Sequence, residues 1–124
     1  MASQALLEQR TIPDTHNPVS GRYDARRVAV RLGISTAAVA RIIGRNDSAV
    51  RKNPDSPTYQ RELGRLVRLL MRLDKALGSA ENTRIWLNAT SEDLGDAMPM
   101  TYLLDGHLPT VEALVDAALT GEGI

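Results

Sequence analysis

The sequence predicts an all-α protein, with short helices in its N-terminal half, a long linking helix and a small helical lobe at the C-terminal end. Its apolar residues are mostly Leu, Ala, Val and Ile, aromatic residues make up 3% of the chain, and Phe is absent. This composition favours packed helices over an aromatic-rich β-sandwich. Apolar residues also recur at steps of three and four, and no segment alternates apolar and polar residues as a strand does.

The length of 124 residues fits one domain, or two small units that share a core. The chain has no Cys, which excludes disulfides and thiolate metal sites. No run reaches the roughly 18 apolar residues of a membrane span, and no signal peptide is recognisable. We therefore expect a cytoplasmic protein without a membrane contact.

The net charge of zero hides a division of the chain into a basic and an acidic half. Residues 1–78 hold 14 Lys and Arg against 7 Asp and Glu, a balance of +7, whereas residues 79–124 hold 1 against 8, a balance of −7. A basic half suggests a nucleic-acid partner. The acidic half suggests either a different partner or the basic half itself.

Three short helices are predicted in the basic half. Residues 1–21 are polar and contain Pro13 and Pro18, so we expect a mobile tail there, with a short helical piece near residues 5–9. Each helix after the tail has a capping residue in front and a breaker behind. The three sets of cap, helix and breaker are Asp24, 25–32 and Gly33; Ser35, 36–43 and Gly44; and Asn46 or Asp47, 48–52 and Asn53-Pro54.

The most regular helix is predicted from Pro57, behind the N-cap Ser56, to the residue before Gly78. Two stripes follow it at steps of three and four, and at about 100° per residue they lie on opposite faces. The apolar stripe is Leu63, Leu66, Leu70, Leu73 and Leu77. The basic stripe is Arg61, Arg65, Arg68, Arg72 and Lys75.

The acidic half is predicted to hold three more helices. Ser79 caps the first, which carries Ile85, Trp86 and Leu87. A loop punctuated by Gly95 leads to a short helix over residues 99–104. The last helix starts at Pro109 and ends at Gly121, with an apolar stripe of Val111, Leu114, Val115, Ala118 and Leu119.

The short helices and tight turns of the basic half are typical of a helix-turn-helix. Its usual spacing is a small residue, a Gly four positions later and an aliphatic residue ten positions after the first. Two registers meet this spacing: Ala29, Gly33 and Val39, and Ala40, Gly44 and Val50. A generic helical core with solvated arginines also remains possible.

The two registers differ in what their second helix offers to DNA. The first register makes 36–43 the reading helix, with a face of Thr36, Ala37, Ala40 and Arg41 that is poor in base-reading groups. The second makes 48–52 the reading helix, with Arg45, Asn46, Ser48, Arg51 and Lys52 available. Arg pairs with guanine and Asn with adenine, so we prefer the second register.

A homodimer is expected from the long helix. Its leucine stripe is flanked by Val67, Leu69 and Met71, which gives more apolar surface than one short neighbouring helix needs. A dimer also presents two reading helices to half-sites one DNA turn, roughly 34 Å, apart.

The acidic half resembles the C-terminal domain of Xre-type antitoxins of the MbcA/ParS group. The elements that carry the resemblance are Trp86-Leu87, Leu94-Gly95, Pro99, Leu103-Leu104, the final helix from Val111 to Leu119, and the Gly-led end from Gly121 to Ile124. The similarity extends upstream to about Arg31. The chain departs from the family pattern at Asp96, where a second Gly often stands, and in the residues before Leu94, where Pro-Asn is common.

The resemblance implies an antitoxin of a type II toxin-antitoxin system. Its front half is then a DNA-binding helix-turn-helix that represses its own operon, which favours the second register. Its back half binds and silences a RES-domain toxin that consumes NAD, in a higher-order complex with a homodimer of this chain. The alternatives are a stand-alone helix-turn-helix repressor with an acidic dimerisation lobe, and an adaptor that binds no DNA.

The expected toxin-binding residues lie at both ends of the last helix. Trp86 is either a core residue of the small lobe or an exposed anchor for the toxin. Leu104, His107 and Leu108 supply anchoring surface. Four final residues reach the basic NAD pocket of the toxin, where a carboxylate can pair with its cations: Gly121, Glu122, Gly123 and Ile124.

Catalytic and metal motifs are missing from the sequence. The two His residues, His16 and His107, have no Ser or Thr and acid in a recognisable arrangement around them. The acidic residues of the loop, Glu92, Asp93 and Asp96, do not match the ligand spacing of a Ca²⁺ loop. No phosphate-binding or dinucleotide fingerprint occurs. We expect no enzyme activity, no cofactor and no metal.

Overall fold

The computed structural model describes residues 14–121 and confirms the all-α fold. This part of the chain forms seven α-helices, and two isolated bridges are its only β-type pairings. The helices are α1 (Ala25–Leu32), α2 (Thr36–Ile43), α3 (Asp47–Lys52), α4 (Gln60–Leu77), α5 (Ala80–Leu87), α6 (Pro99–Leu104) and α7 (Leu108–Thr120). None of the helices described is both long and apolar enough to cross a membrane.

The predicted boundaries of α1 and α2 are confirmed, because they depend on local chemistry. The Asp24 carboxylate accepts hydrogen bonds from two backbone N–H groups of α1, and the Ser35 hydroxyl accepts one from α2. Gly33 and Gly44 end these helices with φ of 68° and 70°, a left-handed conformation that favours glycine. Asn46, the first of the two caps proposed for α3, is the one in use.

The long helix α4 starts three residues later than predicted. Pro57–Tyr59 forms a 3₁₀ turn, and Gln60 is the first α-helical residue. Ser56 still caps the entry, because its hydroxyl accepts a hydrogen bond from the Thr58 N–H. A tighter first turn of this kind is common at helix ends.

The two predicted faces of α4 are confirmed. Leu63, Leu66, Leu70 and Leu73 are buried, and the arginines opposite them are exposed. Val67 and Leu69 are buried as well, since neighbouring helices of the same chain cover α4 on several sides. Only Met71 of the three flanking residues is exposed, so the reason given for a homodimer does not hold: the apolar surplus of α4 is satisfied within one chain.

One hydrophobic core joins the basic and the acidic half. It contains Val39 from α2, Leu66 from α4, Leu103 from α6 and Val111 from α7, all fully buried. Helix α6 packs on α2, and α7 packs on α4. The sequence assigns residues 22–78 to a DNA-binding unit with the long helix and residues 79–124 to a C-terminal unit, and the described parts of both share this core.

Residues 14–21 differ from the mobile tail that the sequence suggested. Thr15 is buried, and its carbonyl accepts a hydrogen bond from the Asp24 N–H at 2.9 Å. The Asn17 side-chain amide donates to the Asp24 carboxylate at 3.1 Å, and the His16 and Tyr23 rings lie 4.3 Å apart. This segment thus packs against the start of α1. The helical piece expected near residues 5–9 lies outside the described residues.

Candidate functional site

Helices α2 and α3 are joined by the Gly44 turn that the second helix-turn-helix register predicts. Gly44, Arg45 and Asn46 make the turn between them, and the Arg45 N–H donates to the Ala40 carbonyl at 2.9 Å. Ala40 and Val50 are both fully buried. The small Ala side chain lets α3 approach α2, and Val50 fills the contact from the other side.

The first register has the same local geometry but a covered reading helix. Gly33 turns the chain between α1 and α2, and Ala29 and Val39 are buried. Helix α6, however, lies against α2. Ala40 faces the core, and the Arg41 guanidinium pairs with the Asp105 carboxylate at 3.0 Å. A helix packed on this side has little free surface for a DNA groove.

The outer face of α3 is free of such cover within residues 14–121. Ser48, Arg51 and Lys52 are exposed, while Val50 points into the core. The Arg51 guanidinium pairs with the Asp47 carboxylate one turn earlier, at 3.0 Å. An exposed pair at this spacing is worth only about 0.3–0.5 kcal/mol, so a phosphate or a base edge can displace it at small cost.

The capping role of Asn46 limits what this residue can offer to a base. Its side-chain oxygen caps α3 by accepting a hydrogen bond from the Ala49 N–H at 3.1 Å. Bidentate recognition of adenine needs both the oxygen and the NH₂ group of an asparagine. With one lone pair of the oxygen engaged in the cap, Asn46 keeps its NH₂ group and the second lone pair of the oxygen for a base.

Arg45 fastens the turn to the long helix. Its Nε and Nη2 atoms donate to one oxygen of the Glu62 carboxylate at 3.2 and 3.0 Å. The pair lies at the surface, with 39% of the Arg45 side chain exposed. Arg45 therefore borders the outer face of α3, and its Nη1, which makes neither of these hydrogen bonds, can donate to DNA while the pair with Glu62 is kept.

The predicted toxin-binding residues do not come together in one surface. Leu108 is buried and Leu104 is half-buried, so of the three at the start of α7 only His107 is fully at the surface. Leu108 belongs to the hydrophobic core, with 9% of the residue exposed. Trp86 and Gly121 lie at the other end of α7, and thirteen residues of helix separate the two ends by roughly 18 Å. Glu122, Gly123 and Ile124 lie outside the described residues.

An apolar groove opens where α4, α5 and α7 meet. Its lining is Leu73, Ala76, Leu77, Trp86, Val115, Ala118 and Leu119. Trp86 is half-buried against the core, and Leu119 is 50% exposed. The Trp86 side chain therefore packs partly against the core and partly lines the groove. The sequence had left open whether it is a core residue or an exposed anchor for the toxin.

Ile85 and Leu119 are exposed apolar residues, and Leu119 belongs to the apolar stripe predicted for the last helix. Ile85 is 61% exposed. In the last helix, the residues of the apolar stripe that follow Val115 lie outside the core. Ile85, Trp86 and Leu87 are consecutive, and residues 100° apart on a helix cannot all face inward. That spacing was the signal available in the sequence.

The two halves of the chain neutralise each other in part. Three ion pairs join them: Arg41 with Asp105 at 3.0 Å, Arg65 with Glu112 at 2.6 Å, and Arg72 with Asp116. The second of the two explanations for the acidic half, a partner within the same chain, therefore accounts for three of its carboxylates. The acidic residues of the loop before α6, Glu92, Asp93 and Asp96, stay exposed.

No three His, Asp or Glu side chains converge on a common point in the part of the chain that is described. The surface features described above are the exposed polar face of α3 and the apolar groove where α4, α5 and α7 meet. Comparisons of this chain with protein-family models, with curated proteins and with solved structures found no match.

Proposed function

We propose that the protein binds duplex DNA through α3 and the turn before it, and that it represses its own operon in the cytoplasm. The observation that carries this proposal is the exposed outer face of α3, which is held by α2 across the Gly44 turn. Helix-turn-helix proteins place such a helix in the major groove. Arg51 and Lys52 lie on that face as donors to guanine or to phosphate.

Replacing Arg51 and Lys52 by alanine is expected to weaken operator binding by about 1–3 kcal/mol if either reads a base, and by less if both touch phosphate only. Neither side chain contributes to the core, so the melting temperature should change little. The measurement is a titration of a fluorescent promoter duplex at fixed salt, since DNA affinities depend steeply on salt.

Arg41→Ala is the matched control for that experiment. It removes an exposed cation from the reading helix of the other register, where Arg41 already pairs with Asp105. We expect its promoter affinity to stay within twofold of the wild-type value. A loss confined to Arg41→Ala would contradict the assignment of α3 and support α2 instead.

The C-terminal half is proposed to make the protein the antitoxin of a RES-domain toxin that consumes NAD. The support for this partner is the sequence resemblance described above. The groove beside Trp86 and Leu119 supports a docking role, because exposed apolar patches rimmed by polar residues mark interaction sites. The groove also lies near Gly121, and residues 122–124, which follow it in the sequence, are proposed to enter the toxin's NAD pocket.

Co-expression with the product of the neighbouring reading frame tests the antitoxin proposal. Wild-type protein should restore growth and cellular NAD. Leu119→Asp should abolish complex formation, since a carboxylate in an apolar interface is costly. Deleting residues 122–124 should leave the complex largely intact but release the toxin. Val30→Asp, which places the same carboxylate at an apolar side chain of α1 that is 77% exposed, is the matched control and should rescue fully.

Two outcomes would replace this proposal. Specific promoter binding without any inhibition of the toxin would indicate the stand-alone repressor with a dimerisation lobe. If the protein shows no salt-dependent promoter binding and also fails to rescue growth, the remaining alternative is an adaptor that binds no DNA.

A further inference from the structure

The outer face of α4 carries a row of four arginines that the reading helix does not need. Arg61, Arg65, Arg68 and Arg72 follow one another at steps of four, three and four, and all four are exposed. They line one open groove together with Leu69 and Glu112 of α7. At 1.5 Å per residue this arginine row is roughly 16 Å long.

Two of the four arginines are occupied by carboxylates of α7. The Arg65 guanidinium donates to both oxygens of Glu112, at distances from 2.6 to 3.1 Å, and Arg72 donates to Asp116. The hydrogen bond and the charge of Glu112 raise the pKa of Arg65 above its ordinary value. Within residues 14–121, Arg61 and Arg68 form no ion pair.

The four arginines of the row carry more positive charge than the carboxylates of α7 neutralise. Cations three and four positions apart on a helix repel each other, and two carboxylates cannot neutralise four guanidinium groups. A ligand with anionic groups spaced along a line relieves this repulsion. Guanidinium groups are suited to phosphate because their planar fork donates two parallel hydrogen bonds.

The row starts at the end of α4 that lies nearest the proposed DNA-binding face. Arg61 directly precedes Glu62, whose carboxylate pairs with Arg45 in the turn before α3. The first turn of α4 therefore lies beside that turn. Duplex DNA that contacts α3 brings closely spaced phosphates to the start of the row.

We propose that the arginine row binds phosphates of the same duplex DNA that α3 contacts, and that Glu112 and Asp116 occupy Arg65 and Arg72 in the DNA-free protein. This inference rests on the proposed DNA binding. Phosphates and the carboxylates of α7 then compete for the same two guanidinium groups. Removing the carboxylates should tighten DNA binding, an effect that a purely structural role of these ion pairs does not produce.

The test is the salt dependence of binding to a promoter duplex. Arg61→Gln with Arg68→Gln should reduce the slope of log K against log salt by about 2, and should weaken binding roughly tenfold at 0.1 M salt. Glu112→Gln with Asp116→Asn should steepen the slope by up to about 2 and tighten binding. Circular dichroism shows whether each variant keeps its helices.

Matched controls separate local contact from net charge. Arg26→Gln with Arg27→Gln removes two exposed cations from α1, and Glu92→Gln with Asp93→Asn removes two exposed carboxylates from the loop. Both controls should leave the slope within about half a unit of the wild-type value. Changes as large as those of the α4 and α7 variants would show a general charge effect and overturn the proposal.

The failure of this inference differs from the failure of the proposed function. If Arg51 and Lys52 matter but the α4 and α7 variants bind as the wild type does, α3 binds DNA and the arginine row does not. If the row matters and the α3 variants bind normally, the reading helix is wrong. If the wild-type protein binds no duplex, both proposals are overturned together.

Discussion

Leu103→Ala is expected to destabilise the protein by about 3–5 kcal/mol, the upper part of the range for buried leucines. Leu103 is fully buried in α6, which packs on α2 of the basic half and on α7 of the acidic half. Its removal leaves a cavity at the centre of the shared core. Since small domains are stable by only about 5–15 kcal/mol in total, both halves should weaken together.

Urea unfolding checks this expectation with two probes. The single Trp, Trp86, reports on the acidic half by fluorescence, and far-ultraviolet circular dichroism reports on all helices. The two transitions should coincide in the wild type and in the variant. Leu119→Ala, the same chemical change at a side chain that is 50% exposed, is the control and should cost less than about 1 kcal/mol. Separate transitions would contradict a single core.

Arg31→Met is expected to cost about 2–4 kcal/mol, because it leaves the Asp74 carboxylate without a counter-charge in a site that is only 15% exposed. Asp74 accepts a hydrogen bond from the Thr83 hydroxyl at 2.6 Å as well as pairing with Arg31, which also pairs with Asp14. The network joins α1, α4 and α5. Fully buried pairs lose about 3–5 kcal/mol when one partner is removed, and the residual exposure here lowers that value.

A double-mutant cycle separates the lost attraction from the stranded charge. Arg31→Met with Asp74→Leu should recover part of the stability lost in Arg31→Met alone, since both charges are then gone. Partial burial lowers the pKa of Arg31, but hydrogen bonds and charges of Asp74 and Asp14 raise it to above its ordinary value. The guanidinium therefore stays charged throughout an ordinary unfolding series. Additive losses in the double variant would show that the two side chains are not coupled.

The helices and their ends were predictable because they depend on neighbours within a few positions. Asp24 and Ser35 cap α1 and α2 through hydrogen bonds, and Gly33 and Gly44 end these helices through their backbone angles. Both effects act within one helical turn. The two faces of α4 follow from periodicity for the same reason. The division of charge between the halves could also be predicted from the sequence, but the individual ion pairs that join the two halves could not.

The choice between the two helix-turn-helix registers could not be made from spacing. Ala29, Gly33 and Val39 satisfy the same local rules as the later triplet, and both sets are built as the spacing implies. The two registers differ in whether another helix covers the reading helix. Helix α6, some sixty residues further along the chain, lies on α2 and leaves the outer face of α3 open. Propensity and capping carry no information about such a distant neighbour.

The surfaces likewise depend on how the helices pack. Leu119 continues the predicted apolar stripe of the last helix, yet its side chain is 50% exposed because no further helix of the described chain covers the end of α7. Arg72 and Asp116 are 44 positions apart and meet only because α7 folds back along α4. Local hydrogen bonds thus determine which segments become helices. Burial and charge contacts between distant segments, which depend on the packing of the whole chain, determine which helix faces remain free to bind a partner.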